Sequence, residues 1–554
     1  MSRRPREGTR EGFQDKAVPG HEGFTCRVYD VDGAEVLAPQ GASPIQIKEA
    51  ALSAGRDQRY PVAFTVTVEG QEVRLNISWP EQEKFTILPI TRDAASLNIG
   101  ALAKELGVEE RQIGQTQGSA STVKLGDGPQ MHRGPLLVPG KTPLYIPDGA
   151  LVHEEGRLIY GGSVQGANES LRAKLLAQIA SPDVAIPPFA DRHVHAFQPW
   201  WNPEELLSPR EGQGGFDGSL PPTLRFETQI KENPEQAQAI AHELIETMIA
   251  NGTGEAVVYG TSSLGAMEAL LEAGKAFGSH FKTGFVFMDQ DVNFIEGVRL
   301  EVNQNEVEDI LRRIKVLAQQ YPGSITIIDR FPIAVRSPLR KRLVQFCIEN
   351  NLEYDTHANE SQGEAGRTAQ LYDERRILEV LKADGVFQPG MKPRLAHMIH
   401  QNEADWQIIQ EAIQAGVPLE VVACPASNGY LESPKWDGQV VGFPFQALVD
   451  AGVRVSFGTD AGAGLVQNIA SVAVHEMTRH HQGPRPTWAQ VFKSATSQEA
   501  NLQTGAPADW ITVRPSQTSF QQELDPEVMV RRVLVAAQNG ANITSMVLGG
   551  KRLR

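Results

Sequence analysis

The stretch Asp191-Arg192-His193-Val194-His195 decides how the rest of the chain is interpreted. On an extended segment, residues two apart project to the same side, so His193 and His195 would present two imidazoles together. Two nitrogens do not hold a catalytic metal ion by themselves, because such ions take about three protein ligands and leave one position open. The stretch therefore predicts that further nitrogen and carboxylate ligands come from other parts of the chain.

Candidates for these further ligands close other short runs of apolar or β-branched residues. His357 follows Tyr354-Asp355-Thr356, and Asp460 follows a similar run that ends in Gly458-Thr459. A further histidine stretch, with His397 at its centre, lies between them. The metal ligands predicted from these positions are His193, His195, His357 and Asp460.

Composition indicates a globular protein, and the net charge bears on the kind of partner it could bind. The chain has 554 residues, of which 41% are apolar and 21% charged, so one α/β barrel with additions could use most of it. The formal charge of −15 argues against long polyanions as partners, since nucleic-acid binding depends on cationic side chains. A small neutral substrate is compatible with such a surface.

Cysteine usage and hydropathy predict a cytoplasmic location. Cys26, Cys347 and Cys424 are too few and too scattered for a disulfide framework or a cysteine-based zinc site. Met1 to Lys16 is polar and lacks the apolar core of a signal peptide, and no run is long enough to span a bilayer. We expect no membrane and no nucleic acid as partner.

The N-terminal part differs in pattern from the rest. Residues 1–22 have almost nothing to bury and are expected to be disordered. Residues 23–140 form an extra β-rich region of unknown role, with a hairpin predicted at 62–79 and loop from Gly114 to Gly140. A second hairpin is predicted at 150–160.

Strands alternate with amphipathic helices between about 183 and 500. Eight such units predict a (β/α)8 TIM barrel, while a doubly wound sheet is the competing topology. A barrel places the carboxyl ends of the first, fifth, sixth and eighth strands on one rim, where the candidate ligands could meet. The predicted strands are 184–189, 255–259, 283–288, 325–328, 352–355, 394–397, 419–423 and 453–457, and the clearest helices are 234–250, 307–320, 368–382 and 403–415.

The order of these motifs resembles the amidohydrolase superfamily, in which histidines and one aspartate hold the metal. The motifs His357-Ala358-Asn359-Glu360 and Cys424-Pro425-Ala426-Ser427-Asn428 are similar to those of purine and pyrimidine aminohydrolases and triazine hydrolases. Within that group, His193 to Gln198 and Asp329-Arg330-Phe331 resemble guanine deaminases.

This resemblance implies a hydrolytic deaminase of a guanine-like aminopurine, which would convert guanine and water to xanthine and ammonia. It implies one divalent metal ion, zinc or else iron, and substrate contacts from Gln198, Arg330 and Phe331. It also implies a homodimer, and a small β-sandwich of residues 141–182 and 501–554 beside the barrel of 183–500.

The chemistry assigns roles to Glu360 and His397, and a second role to Asp460. A metal ion held by neutral imidazoles lowers the pKa of bound water to about 7, which supplies a nucleophile. Glu360 would carry a proton to the ring nitrogen and then to the leaving amine. His397 would hydrogen-bond the attacking water and the developing oxygen, and Asp460 would also accept a proton.

Other interpretations of the same residues stay open. Glu360 could be a solvated carboxylate at a helix start, and Arg330 could pair with Asp329 or another acid. The substrate could be a triazine, a pterin or oxidised guanine, or the barrel could be a non-catalytic binding scaffold. The pocket wall after Pro199 departs from the family, since Asn202 precedes Pro203 where an aromatic residue is typical.

Overall fold

The computed structural model describes residues 130–198, 215–290, 298–431, 442–460, 468–479, 483–497, 500–515 and 525–554, together with five strands before residue 120. The chain divides into two compact units, Met1–Ser119 and Ala120–Arg554. The expectations for residues 1–22, for the pocket wall at 199–214 and for Asn202 and Pro203 lie outside the described residues.

The N-terminal unit contains two small antiparallel sheets. One pairs β1 (Arg27–Tyr29) with β2 (Glu35–Leu37), and the other has the order β3 (Val62–Val68), β4 (Gln71–Glu81), β5 (Lys84–Pro89). Residues of β3 and β4 pair from Val62↔Ile77 to Val68↔Gln71, which confirms the hairpin predicted at 62–79.

The larger unit contains both parallel and mixed sheets. Its strands are β6 (Gln130–Val138), β7 (Leu144–Glu154), β8 (Arg157–Ser163), β9 (Val184–Ile186), β10 (Phe189–His195), β11 (Thr253–Tyr259), β12 (Phe281–Gly284), β13 (Val286–Phe287), β14 (Thr326–Asp329), β15 (Glu353–Ala358), β16 (Pro393–His397), β17 (Glu420–Ala423), β18 (Arg454–Phe457), β19 (Trp510–Val513), β20 (Ile543–Leu548) and β21 (Lys551–Arg552). Its α-helices are α1 (Glu169–Leu176), α2 (Gly215–Glu232), α3 (Pro234–Ala250), α4 (Leu264–Ala273), α5 (Val307–Gln320), α6 (Ser337–Asn350), α7 (Gln362–Leu371), α8 (Ile377–Ala383), α9 (Glu403–Gln414), α10 (Pro425–Leu431), α11 (Phe445–Asp450), α12 (Ile469–Thr478), α13 (Trp488–Ala495) and α14 (Pro526–Ala537).

The parallel strands follow one another in chain order. One sheet runs β10-β11-β12, the other runs β13 to β18 without interruption, and a parallel bridge pairs Thr283 with Ile325. A doubly wound sheet would reverse its order at a switch point, which neither of these sheets does. The predicted alternation of strands and helices is therefore confirmed, although the helix predicted at 368–382 is divided into α7 and α8.

The first of the predicted parallel strands was placed wrongly. Val184–Ile186 pairs with β19 and β6, whereas the strand that pairs with β11 begins at Phe189 and contains both histidines. Pro187 and Pro188 separate the two strands, because proline has no backbone N–H to donate to a ladder.

The two ends of the larger unit meet in a mixed sheet of seven strands, with the order β21-β20-β19-β9-β6-β7-β8. The hairpin predicted at 150–160 is confirmed by the pairing of β7 with β8. The loop predicted up to Gly140 is wrong at β6. The glycine and proline residues of this segment predicted a loop. Pro135, however, lies at a register shift between β6 and β7, where a residue without an N–H group is tolerated in a strand.

A network of buried charges joins neighbouring parallel strands. The guanidinium of Arg394 on β16 contacts Asp355 and Glu353 on β15, and Glu420 on β17. Arg192 on β10 contacts Glu420 and also Glu255 on β11. These buried pairs fix strand register, because breaking one would leave an uncompensated buried charge.

The ends of β10 and β18 are held together by Asp191. Its carboxyl group accepts hydrogen bonds from the backbone N–H of His193 (3.3 Å) and Thr459 (3.1 Å), and from the Thr459 hydroxyl (2.6 Å). The Asp460 N–H donates to the His193 carbonyl at 2.9 Å. Gly458 allows this approach, since a Cβ there would lie 2.6 Å from the His193 Cβ.

No helix in the described part of the chain is long and apolar enough to cross a membrane.

We expect Gly458→Ala to destabilise the protein, because the new methyl group would overlap His193 and force the backbones of β10 and β18 apart. Overpacking of this kind costs roughly 1–3 kcal/mol. The control is Gly366→Ala on α7, where nothing lies within 4 Å of a built Cβ and alanine should stabilise the helix by about 0.5–1 kcal/mol. Urea unfolding measures both, and equal midpoints would contradict the close approach at Gly458.

Candidate metal centre and active site

The four predicted metal ligands lie close together although they come from three separate parts of the chain. Asp460 Oδ1 lies 3.4 Å from Nε2 of His193 and 3.4 Å from Nε2 of His195. Nε2 of His195 and Nε2 of His357 are 3.0 Å apart. The side chains of His193, His195 and Asp460 are at most 5% exposed. The predicted set is therefore assembled in one buried cluster.

The spacing and chemistry of this cluster fit a metal ion. Ligand atoms that bind zinc at about 2.0–2.1 Å in a tetrahedron lie about 3.3 Å from each other, close to the distances above. Burial lowers the pKa of His193, His195 and His357, so the imidazoles are neutral, as ligands must be. Burial alone would raise the pKa of Asp460, but a hydrogen bond with His193 and the neighbouring His397 and His195 lower that pKa well below its usual value.

A second group of titratable side chains adjoins the first. His397 Nε2 lies 3.8 Å from Glu360 Oε1 and 3.9 Å from Asp460 Oδ2. His397 Nδ1 is 2.8 Å from the Asn428 side-chain oxygen, which can only accept, so Nδ1 carries the hydrogen and Nε2 is directed towards the carboxylates. Burial lowers the pKa of His397, but the charges of Glu360 and Asp460 raise it above its usual value.

Glu360 is the most exposed side chain of these two groups. Its side chain is 13% exposed, compared with 0% for His397 and 5% for Asp460. Glu360 is thus the carboxyl group of the site that solvent reaches most easily.

Left-handed backbone conformations occur where three strands of the site, β15, β16 and β18, end. Asn359, His397, Met398 and Asp460 all have φ between 48° and 73°. Such conformations are rare for residues other than glycine and concentrate at functional sites. The Asn359 carbonyl stabilises one of these turns by accepting the N–H groups of the two residues after Met398, each at 3.0 Å.

Arg330 orients a metal-ligand candidate through its backbone. Its carbonyl oxygen lies 2.5 Å from Nδ1 of His357, which leaves Nε2 of that ring directed at the cluster. Hydrogen bonds of this kind fix the tautomer and orientation of metal-binding histidines. This backbone role could not be predicted from the residue types, because a carbonyl group is present at every position.

The Arg330 side chain forms a buried ion pair with Glu227 on α2. Arg330 Nη1 contacts both carboxylate oxygens, at 2.8 and 2.7 Å, and both side chains are at most 2% exposed. The alternative that Arg330 pairs with an acid is therefore correct, but the acid is not Asp329, which pairs with Arg340. Burial raises the pKa of Glu227, and the charge of Arg330 and a hydrogen bond with Gln198 oppose this shift.

Phe331 and Gln198 also lie at the site. The Phe331 ring centroid is 6.1 Å from that of His357, and Phe331 packs in an apolar cluster with Leu224 and Met288. Gln198 is 5% exposed and interacts with the same carboxylate as Arg330. Arg330 and Phe331 thus contact the ligand residue His357, and Gln198 is linked to Arg330 through Glu227.

Sequence reasoning missed several residues of the site. Glu227 lies in a helix with no recognisable motif, so only the fold places it beside Arg330. Asn428 was part of a quoted motif, but its contact with His397 could not be read from spacing. Cys424, which opens that motif, is fully buried, and burial raises the pKa of its thiol well above its usual range, so it is not placed to act as a nucleophile.

A model of the amidohydrolase family matches residues 184–539. The chain belongs to the amidohydrolase family. Members of this family generally depend on a metal ion, and the clustered histidines are placed to hold one. The family assignment also identifies the parallel sheets as a TIM-barrel-like α/β fold.

Individual relatives within the family share modest sequence identity with the chain. The guanine deaminase of Escherichia coli is 24% identical over 68% of this chain and 84% of its own length. A probable guanine deaminase of Deinococcus radiodurans is 24% identical over 60% of this chain and 74% of its own length.

Solved structures with the same fold include enzymes of two substrate types. A guanine deaminase from C. acetobutylicum with bound guanine has a TM-score of 0.65 and 18% identity, and the match covers 77% of this chain and all of that chain. A variant of an atrazine chlorohydrolase from Arthrobacter aurescens, complexed with zinc, has a TM-score of 0.60 and 14% identity over 76% of this chain and 94% of that chain.

Glu227→Ala should destabilise the protein strongly, because it leaves the Arg330 guanidinium buried without its counter-charge. Breaking one side of a buried pair costs about 3–5 kcal/mol. The control is Glu268→Ala, since Glu268 pairs with Arg313 at a site where both side chains are more than a third exposed, and such pairs contribute less than about 1 kcal/mol. Similar urea midpoints for the two variants would show that the buried pair is not formed.

Proposed function

We propose that this protein is a metal-dependent hydrolase that deaminates guanine, releasing xanthine and ammonia. The observation that carries the proposal is the convergence of Glu360 and His397 on the ligand cluster, with Gln198, Arg330 and Phe331 beside it. The family and the relatives named as guanine deaminases support it. Hydrolysis of the C–N bond of a cyclic amidine is the reaction class of such enzymes.

We assign the metal to His193, His195, His357 and Asp460. Three neutral nitrogens and one carboxylate suit zinc, and iron is the alternative. Zinc is favoured because it occurs in the chlorohydrolase of the same fold. When bound, the ion would lower the pKa of water enough for it to act as a nucleophile at neutral pH.

Glu360 and Asp460 would move the protons of the reaction. As water adds to the ring carbon that bears the amino group, it would lose one proton to Glu360, which delivers a proton to the neighbouring ring nitrogen and so makes that carbon more electrophilic. Asp460 would accept the second proton, from the hydroxyl group of the adduct, and Glu360 would pass it on to the amine. The C–N bond then breaks, ammonia leaves, and the carbon keeps the oxygen as a carbonyl.

His397 would stabilise the oxygen that develops charge during the addition. Its Nδ1–H is held by Asn428 at 2.8 Å, and its raised pKa favours a proton on Nε2. A donor fixed in advance costs no reorganisation when the charge develops.

The residues around Arg330 suit a neutral base. Glu227 neutralises the Arg330 charge, so the pocket offers no excess positive charge to a carboxylate or phosphate on the ligand. Gln198 and the remaining guanidinium N–H groups can donate to ring nitrogens and carbonyl oxygen, and Phe331 can pack against the ring. Guanine offers such acceptors on a flat, uncharged ring.

We also infer that the parallel strands close into one eight-stranded barrel, with β12 and β13 as parts of one strand. The Thr283–Ile325 bridge and the bonds between His193 and Asp460 support this closure. The predicted domain limits move at two strands, because β6 (Gln130–Val138) and β9 (Val184–Ile186) pair in the mixed sheet. We therefore propose a barrel from Phe189 to about residue 500, a small β domain of residues 130–186 and 501–554, and a separate β-rich region before them. The homodimer stays a prediction from the resemblance, and the cytoplasmic location stays a prediction from cysteine usage and hydropathy.

Ammonia release by purified metal-loaded protein tests this function on guanine, a pterin, a triazine and oxidised guanine. We expect the highest kcat/KM for guanine. Glu360→Gln should lower kcat by roughly 10²- to 10⁴-fold without loss of fold, because its amide cannot carry the proton. Glu403→Gln, at the exposed start of α9, should leave the rate unchanged.

A preference for a triazine or pterin would contradict the guanine assignment and keep the aminohydrolase. Release of no ammonia from any of these compounds would favour a binding scaffold instead.

A further inference from the structure

Glu364 is a buried carboxyl group that the proposed reaction does not use. It lies in the first turn of α7 and is 0% exposed. Its Oε2 accepts the backbone N–H of Glu360 at 2.9 Å, and its own N–H donates to the Ser361 hydroxyl at 3.0 Å. One carboxyl group therefore holds the backbone of the residue that carries the proposed proton shuttle.

This carboxyl group has no counter-charge. Glu364 has no ion-pair partner among the described residues, and its Oε1 forms no hydrogen bond there. Burial raises the pKa of Glu364 to about 8, and the charge of Glu360 adds to the rise while that of His397 opposes it. At neutral pH the group is therefore mostly the uncharged acid, and glutamine is its nearest isostere.

The position differs from ordinary helix capping in the same protein. On α8, Glu379 accepts the N–H of the N-cap residue Arg376 at 2.7 Å, and Glu379 is only partly buried. On α7, the N-cap residue is Ser361, but the carboxyl group of Glu364 accepts the N–H of the residue before it, Glu360. A capping role alone would not require contact with Glu360 or complete burial.

We propose that Glu364 is a positioning residue, which holds the Glu360 backbone so that the Glu360 carboxylate stays beside His397. The inference rests on the proposed function.

The segment before Glu360 explains why such a hold is needed. Asn359 has a φ of 53°, a conformation that costs an ordinary residue free energy and persists only where neighbours enforce it. Without the bond from Glu364, the 359–360 peptide could relax and displace the carboxylate from its place 3.8 Å from His397. A misplacement of about 1 Å can lower a rate by roughly 100-fold.

Two substitutions of similar size separate the hydrogen bond from side-chain volume. Glu364→Gln keeps an oxygen acceptor for the Glu360 N–H, whereas Glu364→Met does not. We expect kcat to fall by roughly 10- to 100-fold in Glu364→Met, with KM and metal content little changed. Glu364→Gln should stay within about threefold of the wild-type kcat, since the acceptor remains. Glu379→Met is the matched control on α8 and should keep the wild-type kcat.

A wild-type kcat in folded Glu364→Met would overturn the proposal, as would an equal loss in Glu364→Gln. If the methionine variant does not fold, Glu364→Asp replaces it, because the shorter acid cannot reach the Glu360 N–H. An unchanged kcat in that variant would equally refute the positioning role.

Hydrogen exchange of the Glu360 amide supplies a measurement that does not depend on turnover. We expect faster exchange in Glu364→Met than in the wild type and Glu364→Gln, because the amide loses its acceptor. Equal exchange in all three proteins would overturn the proposal. If the wild type deaminates no compound of the panel, the proposed function fails, while the exchange rates still decide whether Glu364 holds Glu360.

Discussion

The site depends on one buried carboxyl group that joins two distant parts of the chain. Asp191 on β10 accepts two hydrogen bonds from Thr459, which is 268 residues further along. The Asp191 carboxyl group also accepts the backbone N–H of His193. Asp460, which follows Thr459, donates its backbone N–H to the carbonyl oxygen of His193. A ligand nitrogen and a ligand carboxylate are thereby brought together by the backbone itself. Gly458 is part of the same constraint, because any side chain there would separate the strands.

Charge balance around this constraint fits a cation and an uncharged ring. The three clustered imidazoles are neutral because burial lowers their pKa, and Asp460 stays ionised. A divalent cation would thus face the carboxylates of Asp460 and Glu360. Arg330 and Glu227 neutralise each other at 2.7 Å, so this pair adds no net charge beside the cluster.

Short motifs were enough to predict which three histidines and which aspartate lie together in the structure. His193-x-His195, His357 and Asp460 each follow or end a strand, and parallel strands bring such ends to a common edge. The same logic failed where a strand boundary depended on proline. Pro187 and Pro188 separate β9 from β10, although one strand was predicted at 184–189. Pro135 lies within β6, in a segment that was predicted to be a loop.

Contacts made between distant elements could not be predicted in this way. Glu227 meets Arg330 across 103 positions, and nothing near either residue indicates the pairing. The burial and missing counter-charge of Glu364 are likewise properties of the packed structure, since one turn of helix looks the same in sequence whether it is covered or exposed.

A crystal of the purified protein, measured above and below the zinc and iron absorption edges, tests the metal centre most directly. We expect one anomalous peak among His193, His195, His357 and Asp460, about 2.0–2.2 Å from their nitrogen and oxygen atoms. A map with no peak there, from protein supplied with metal, would contradict it.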